Sequence, residues 1–305
     1  MGQLKKGIYP VMLTPFSGGN VDYGAVRALT EWYIRNGCQG IFAVCQSSEM
    51  FYLSLKERVA IAKEVVRAAG GRATVVASGH ISDSIEAQAE ELNKIAETGV
   101  DALILVTNRL DIHNEGEEVW LKNADRLLSL LDSKVHLGFY ECPKPYKKLL
   151  TPRMIDWCLA TGRFRFIKDT CCSPELLSDR LRQLHGTDLM LFNANGQTLL
   201  SSLKQGAAGY SGILANYCPN LLAELYRLHT CDPVRAERLS DMLSVLAFTE
   251  NAAYPVTAKY FQQLLGNPFT LETRAVDSSV FDRYQRECVD QQLRVYKRLM
   301  EEYGV

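Results

Sequence analysis

Residues 164–170 read FRFIKDT, in which Phe164, Phe166 and Ile167 form a short apolar run that ends on Lys168. Such a run predicts a buried strand of a parallel sheet, covered on both faces. The lysine at its end has two ways to exist there. Taking a lone ammonium out of water is unfavourable by several kcal/mol, so either Asp169 pairs with it or its pKa falls and free amine is present near neutrality. A free amine attacks carbonyl carbons, whereas the ion pair only secures a strand end.

Working outward, short β-type runs alternate with amphipathic segments of helical length. The strand candidates are IYPVML (8–13), GIFAV (40–44), ATVVAS (73–78), ALILV (102–106), VHLGFY (135–140), FRFIK (164–168), DLMLFN (188–193) and AAGYSGI (207–213). The first helix is expected from Asp22, a good N-cap, to a stop at Gly37; the second spans 54–69 and ends at Gly70 and Gly71; the third is capped by Ser82 or Asp83. Eight strand and helix units in about 225 residues predict an α/β fold of the (β/α)8 TIM-barrel type. The rival is a doubly wound sheet, which uses fewer strands, and no glycine-rich dinucleotide fingerprint follows the first strand. Helices are expected around 220–229, 233–248, 254–265 and 279–302, forming a C-terminal helical extension. The expected division is a barrel over 1–225 that carries the site and a helical region over 226–305 packed on it.

Composition narrows the partners. The 305-residue chain carries 34 Lys and Arg against 35 Asp and Glu, a balance that gives no electrostatic case for nucleic acid or an anionic membrane surface. The N-terminal MGQLKKGIYPVMLTPF meets Pro10 before any long apolar run, so it lacks a signal-peptide core, and no stretch has the roughly eighteen apolar residues of a membrane span. A cytoplasmic protein with a small-molecule partner is expected. The nine cysteines contain no CxxC pair, which points to buried free thiols rather than a disulfide framework or a zinc ribbon.

In a barrel the chemistry collects at the C-terminal ends of the strands. The residues there are Thr14; Gln46, Ser47, Ser48 and Glu49; His80; Thr107 to His113; Tyr140; Lys168 and Thr170; Asn193 and Asn195; and Ser211. Ser47 and Ser48 offer two hydroxyls and consecutive backbone N–H groups ahead of a helix, which suits a small anion such as a carboxylate, or equally a plain ST-turn. Tyr140 passes protons to and from a carbinolamine if its hydroxyl reaches Lys168; otherwise it is a structural tyrosine bonded to a carbonyl.

Five of these features occur together and in order: YPVMLTPF (9–16), the Ser47-Ser48-Glu49 loop, Y-x-x-P (Tyr140 to Pro143), I-K-D-T (167–170) and G-A-A-G-Y-S-G (206–212). In that order and spacing the chain resembles the dihydrodipicolinate synthase and N-acetylneuraminate lyase family over nearly its whole length. The resemblance implies a (β/α)8 barrel with a C-terminal helical region, assembled as a homo-oligomer, a dimer or tetramer. It implies that Lys168 forms a Schiff base with the keto carbon of pyruvate or a pyruvate-derived substrate, that Tyr140 shuttles protons, and that Ser47 with neighbouring loop amides holds the substrate carboxylate. An iminium withdraws electrons from the adjacent carbon, so a C3–C4 bond breaks or forms through an enamine without metal or cofactor.

Three departures bear on the substrate. The family's G-T-T-G-E or G-S-T-G-E loop is Cys45-Gln46-Ser47-Ser48-Glu49, with Ser48 at a glycine position that calls for altered backbone angles. The tyrosine pair after strand four is replaced by Thr107-Asn108-Arg109-Leu110-Asp111, which removes the synthases' proton relay, and the arginine that receives the aldehyde substrate's carboxylate is Pro145, beside Lys144. Synthase activity is therefore disfavoured. Asn193, Asn195, Gln197 and Ser211 suit the hydroxyls of a keto-deoxy sugar acid or sialic-acid-like substrate, with Gln46, Ser48 and Thr170 as further binding candidates. Arg109, Asp111 and His113 are available for charged contacts. The alternatives are a metal-dependent aldolase on Glu49, His80 and His113, which lacks an HxH or HExxH motif and leaves Lys168 unexplained, and a non-catalytic keto-acid-binding barrel. The expectation is a pyruvate-type class I aldolase or lyase.

Overall fold

The computed structural model describes residues 4–305. Eight parallel strands form the barrel: β1 (Gly7–Ile8), β2 (Gly40–Ala43), β3 (Thr74–Ala77), β4 (Ala102–Val106), β5 (Leu137–Tyr140), β6 (Phe164–Asp169), β7 (Met190–Asn193) and β8 (Gly209–Tyr210). Each expected strand is present, and most are shorter than their apolar runs. The IYPVML run shows why. The Tyr9 N–H donates to the Tyr210 carbonyl, but Pro10 has no N–H, and its carbonyl instead accepts from Phe42 while Met12 donates back to Phe42. One half of the run thus pairs with β8 and the other touches β2 through a Val11–Phe42 bridge, which closes the barrel.

Closure also sets Gly209. A Cβ there would lie 1.8 Å from the Gly7 carbonyl oxygen, so the close approach of β1 to β8 needs a residue without a side chain. A two-stranded hairpin, Phe16–Ser17 with Asn20–Val21, turning through Gly18 and Gly19, was not expected from the sequence.

Eleven helices are found among the described residues. Those around the barrel are α1 (Tyr23–Arg35), α2 (Leu55–Ala69), α3 (Ile85–Ala96), α4 (Glu117–Ser129), α5 (Pro152–Thr161), α6 (Pro174–Leu184), α7 (Leu199–Lys204) and α8 (Pro219–Cys231). Asp22 caps α1 as expected, accepting from the Ala25 N–H at 2.9 Å. The cap of α3 is Ser84 rather than Ser82 or Asp83, because those two are committed elsewhere: the Ser82 hydroxyl donates to Glu91 and Asp83 pairs with Arg109.

The extension comprises α9 (Pro233–Ala247), α10 (Val256–Leu264) and α11 (Arg283–Tyr303). Residue 225, the expected end of the barrel, falls within α8. The Tyr296 ring of α11 lies 5.7 Å from that of Phe261 on α10, and its hydroxyl donates to Asn220 on α8 at 2.9 Å. No helix among the described residues is long and apolar enough to cross a membrane.

Strand periodicity decides what enters the barrel. Side chains alternate across a strand, so Phe166 and Lys168 share one face of β6 and Asp169 the other. Phe166 stacks on Phe192 at 4.4 Å and lies 5.5 Å from Tyr9, while Phe42 meets the Tyr140 ring edge-on at 5.6 Å. These rings plug the barrel interior and leave Lys168 above them.

Candidate active site

The strand ends surround a cavity of about 740 Å³ whose wall includes Gln46, Ser47, Arg109, Tyr140, Lys144, Lys168, Thr170, Cys172 and Asn195. Lys168 is only 5% exposed, and its Nζ lies 4.2 Å from the centroid of the Tyr140 ring. Tyr140 and Lys168 are register partners on β5 and β6. Burial holds the Lys168 pKa below the ordinary lysine value, against the opposing pull of Cys45, Cys142 and Glu250, and burial likewise pushes the Tyr140 phenol well up.

Asp169 does not pair with Lys168. It points to the outer face of β6, where its carboxylate meets Arg180 of α6. Arg180 also binds Glu141, at 2.6 Å, and the Leu150 carbonyl, at 2.7 Å. Glu141 in turn accepts from the Thr170 N–H at 3.0 Å, and the Thr170 hydroxyl donates to the Glu141 carbonyl at 2.7 Å. The choice posed by the sequence thus resolves toward a lysine without a carboxylate bond.

The loop after β2 departs from the expected geometry. Gln46–Ser48 form a single 3-10 turn, and the left-handed positions are Val44 (φ 50°) and Glu49 (φ 61°), not Ser48. The Ser48 hydroxyl faces away from the cavity: it donates to the Met12 carbonyl at 2.6 Å and accepts from the Cys45 N–H at 3.1 Å. Ser47 does line the cavity, beside the phenol of Tyr254, and the Gln46 side-chain oxygen accepts from Cys142 at 3.1 Å.

The residues after β7 and β8 divide in the same way. Asn193 is buried behind its loop, with Nδ2 on Thr198 and Ser202 at 2.9 and 3.1 Å and Oδ1 on the Asn195 N–H at 2.8 Å. It positions Asn195, which is on the wall. Ser211 is fully buried and off the wall, and Gln197 reaches the Ser244 carbonyl outside the cavity.

In the strand-four loop Asn108 bonds the carbonyls of Cys142, Lys144 and Tyr146, Asp111 is paired with Lys148, and only Arg109 reaches the wall. Of the three groups considered for a metal, His80 and Glu49 are otherwise engaged, and His113 is exposed and off the cavity wall. His80 accepts from the Val106 N–H at Nε2 and faces Gln88 at Nδ1, and both Glu49 oxygens are bonded; no cluster of three metal-binding side chains exists among the described residues.

Glu250 and Tyr254, on the turn between α9 and α10, and Ala275 and Val276 also line the cavity. Burial pushes the Glu250 carboxyl up to about 8, with Lys168 and the Leu214 amide pulling it partway back. In the sequence the only trace of this turn is ENAAYP, a polar break after a helix, which marks a turn without saying where it points.

The fold and the wall define a class: a (β/α)8 barrel with a buried, unpaired lysine at the C-terminal mouth. The model of the dihydrodipicolinate synthetase family matches residues 4–275, and the chain belongs to that family. It is similar to 4-hydroxy-tetrahydrodipicolinate synthase of Jannaschia sp., with 26% identity over 86% of this chain and 88% of the relative. An uncharacterized DapA-like lyase of Pyrobaculum islandicum is 29% identical over 73% of this chain and 72% of its own. Among solved structures, the sialic acid aldolase of Ruminococcus gnavus superposes with a TM-score of 0.87 at 16% identity, covering 98% of this chain and 99% of that one. The 4-hydroxy-tetrahydrodipicolinate synthase of Methylacidiphilum fumariolicum gives 0.86 at 20% identity, covering 98% of each.

Proposed function

We propose that the protein is a pyruvate-type class I aldolase or lyase, with Lys168 as the Schiff-base residue and Tyr140 as its proton relay. One observation carries this reading: an amine buried at the barrel mouth without a carboxylate bond, held against the face of a phenol. In the neutral form Nζ attacks the keto carbon of a 2-keto acid, the carbinolamine loses water, and the iminium draws electrons from C3. Ser47, with Gln46 and the loop amides, receives the carboxylate that orients the keto carbon. Thr170 and Asn195 support a hydroxylated distal half, a keto-deoxy sugar acid or sialic-acid-like substrate, and Arg109 and Lys144 at the same wall are compatible with a further anionic group.

Nine free cysteines among the described residues are in keeping with a reducing, cytoplasmic setting. The exposed apolar side chains Met242 and Val245 of α9 and Phe248 at its C-cap, which is 77% exposed, favour a homo-oligomer. The test is incubation with pyruvate and borohydride: an irreversible mass gain localised to Lys168 is expected, and its absence at saturating pyruvate overturns the reading.

A further inference from the structure

Seven carboxylates are buried among the described residues: Glu49, Glu91, Asp111, Glu141, Asp169, Glu224 and Glu250. The first six each form an ion pair, with Lys259, Arg58, Lys148, Arg180, Arg180 and Arg227. Glu250 has none; it is 9% exposed, and its Oε2 has no hydrogen-bond partner. Of the two buried lysines, Lys259 is paired with Glu49 and Lys168 is not. The one unpaired buried acid and the one unpaired buried lysine among the described residues therefore line the same cavity, close enough to feel each other's charge. A fold that meets every other buried charge with a partner leaves these two separated by space for a ligand.

Resting on the proposed Schiff-base chemistry, we infer that Glu250 is the catalytic acid–base residue of the C3 step, moving the proton between the iminium and the enamine of the bound keto acid. When the Lys168 amine becomes an iminium cation, the opposite charge favours the carboxylate form of Glu250. Glu250 loses its proton to solvent, while the carbinolamine hydroxyl leaves as water with the proton that the Tyr140 relay delivers. The carboxylate then takes a proton from C3. The C3–H electron pair becomes the C2–C3 double bond, and the C2–N double-bond pair moves onto nitrogen, giving a neutral enamine beside a neutral carboxylic acid. In the bond-forming direction the enamine carbon attacks an aldehyde, the aldehyde oxygen takes the Glu250 proton, and iminium and carboxylate return. Lys168, Tyr210, and Tyr217 and Cys218 ahead of α8 are the titratable groups around this carboxyl, and only Lys168 supplies a positive charge.

Exchange of the pyruvate methyl protons in deuterium oxide, followed by NMR, needs no aldehyde and reads this step alone. The wild type should exchange the methyl, and Glu250→Gln should still gain the borohydride adduct on Lys168 while its exchange falls about a hundredfold or more. Glu250→Ala, which opens space beside the adduct, should recover exchange on addition of formate, a rescue that a packing role does not produce. Absence of an adduct in the wild type removes the Schiff-base reading itself. An adduct in the wild type with undiminished exchange in Glu250→Gln, a Gln variant that gains no adduct, or an Ala variant that formate leaves unchanged overturns the role of Glu250 while the Schiff base stands.

Discussion

Lys168 Nζ stands 4.2 Å from the ring centroid of Tyr140, its register partner on the neighbouring strand. Burial disfavours the ammonium on one side and the phenolate on the other, which raises the share of free amine beside a neutral phenol. Lys168→Ala should abolish the pyruvate adduct. Tyr140→Phe retains the ring that meets Phe42 edge-on and removes only the hydroxyl, so kcat should fall about a hundredfold with KM nearly unchanged. A KM effect larger than the kcat effect would assign the phenol to binding instead.

The lowered lysine pKa fixes the direction of a pH experiment. Attack needs the free amine, so the initial rate of adduct formation should rise with pH and level off below about 10.4, the value of an unperturbed lysine. Rates of borohydride trapping across that range measure it directly; a rise that continues to the unperturbed value contradicts a desolvated amine.

The barrel and its lysine were legible because they follow from strand periodicity and order along the chain. FRFIKD alternates so that Phe166 and Lys168 turn inward and Asp169 outward, yet the partner that draws Asp169 away is Arg180, whose meeting with it depends on how α6 packs. Ser47 and Ser48 look equivalent in one dimension, and only the 3-10 turn separates the hydroxyl on the cavity from the one bonded to Met12. Asn193 and Asn195 divide likewise, one building the loop and the other facing the ligand space. Glu250 was out of reach because a segment some eighty residues beyond Lys168 returns to the mouth through tertiary packing.

His80 should make the fold acid-sensitive. It is fully buried and its pKa is lowered to about 4, chiefly by burial, so it stays neutral in the native state while the unfolded chain takes up a proton from about pH 6.5 downward. Its contribution to stability is complete above that value, falls as pH drops toward about 4, and totals about 3 kcal/mol. Urea unfolding at pH 7 and pH 4.5 checks this: His80→Gln should lose less stability on acidification than the wild type. Equal losses in the two proteins refute it.

Arg180 is the shared counter-ion of two fully buried carboxylates, Asp169 and Glu141. Arg180→Leu leaves both without a cation and should destabilise the protein by about 3 to 5 kcal/mol, measured by chemical denaturation at pH 7. Because Glu141 also holds the Thr170 amide beside the cavity, activity should fall even at temperatures where the variant is folded. A stability loss under about 1 kcal/mol would mean that the carboxylates find other partners.

The cavity wall formed by Ala275 and Val276 depends on Glu49. Its Oε1 accepts from Lys259 at 2.7 Å, and its Oε2 accepts from the Thr273 hydroxyl and the Arg274 and Ala275 N–H groups at 2.8, 2.6 and 2.9 Å. Removing either member of the Glu49–Lys259 pair has unequal consequences. Lys259→Met leaves a carboxylate that keeps three donors, whereas Glu49→Gln removes the counter-charge of a fully buried ammonium and leaves one acceptor oxygen where Lys259 and the 273–275 donors used two. Glu49→Gln should therefore lose about 3 to 5 kcal/mol and expose the 273–276 segment to limited proteolysis, while Lys259→Met loses less and stays resistant. Denaturation midpoints and protease mapping of the two variants decide it, and equal behaviour would remove Glu49 as the anchor of that wall.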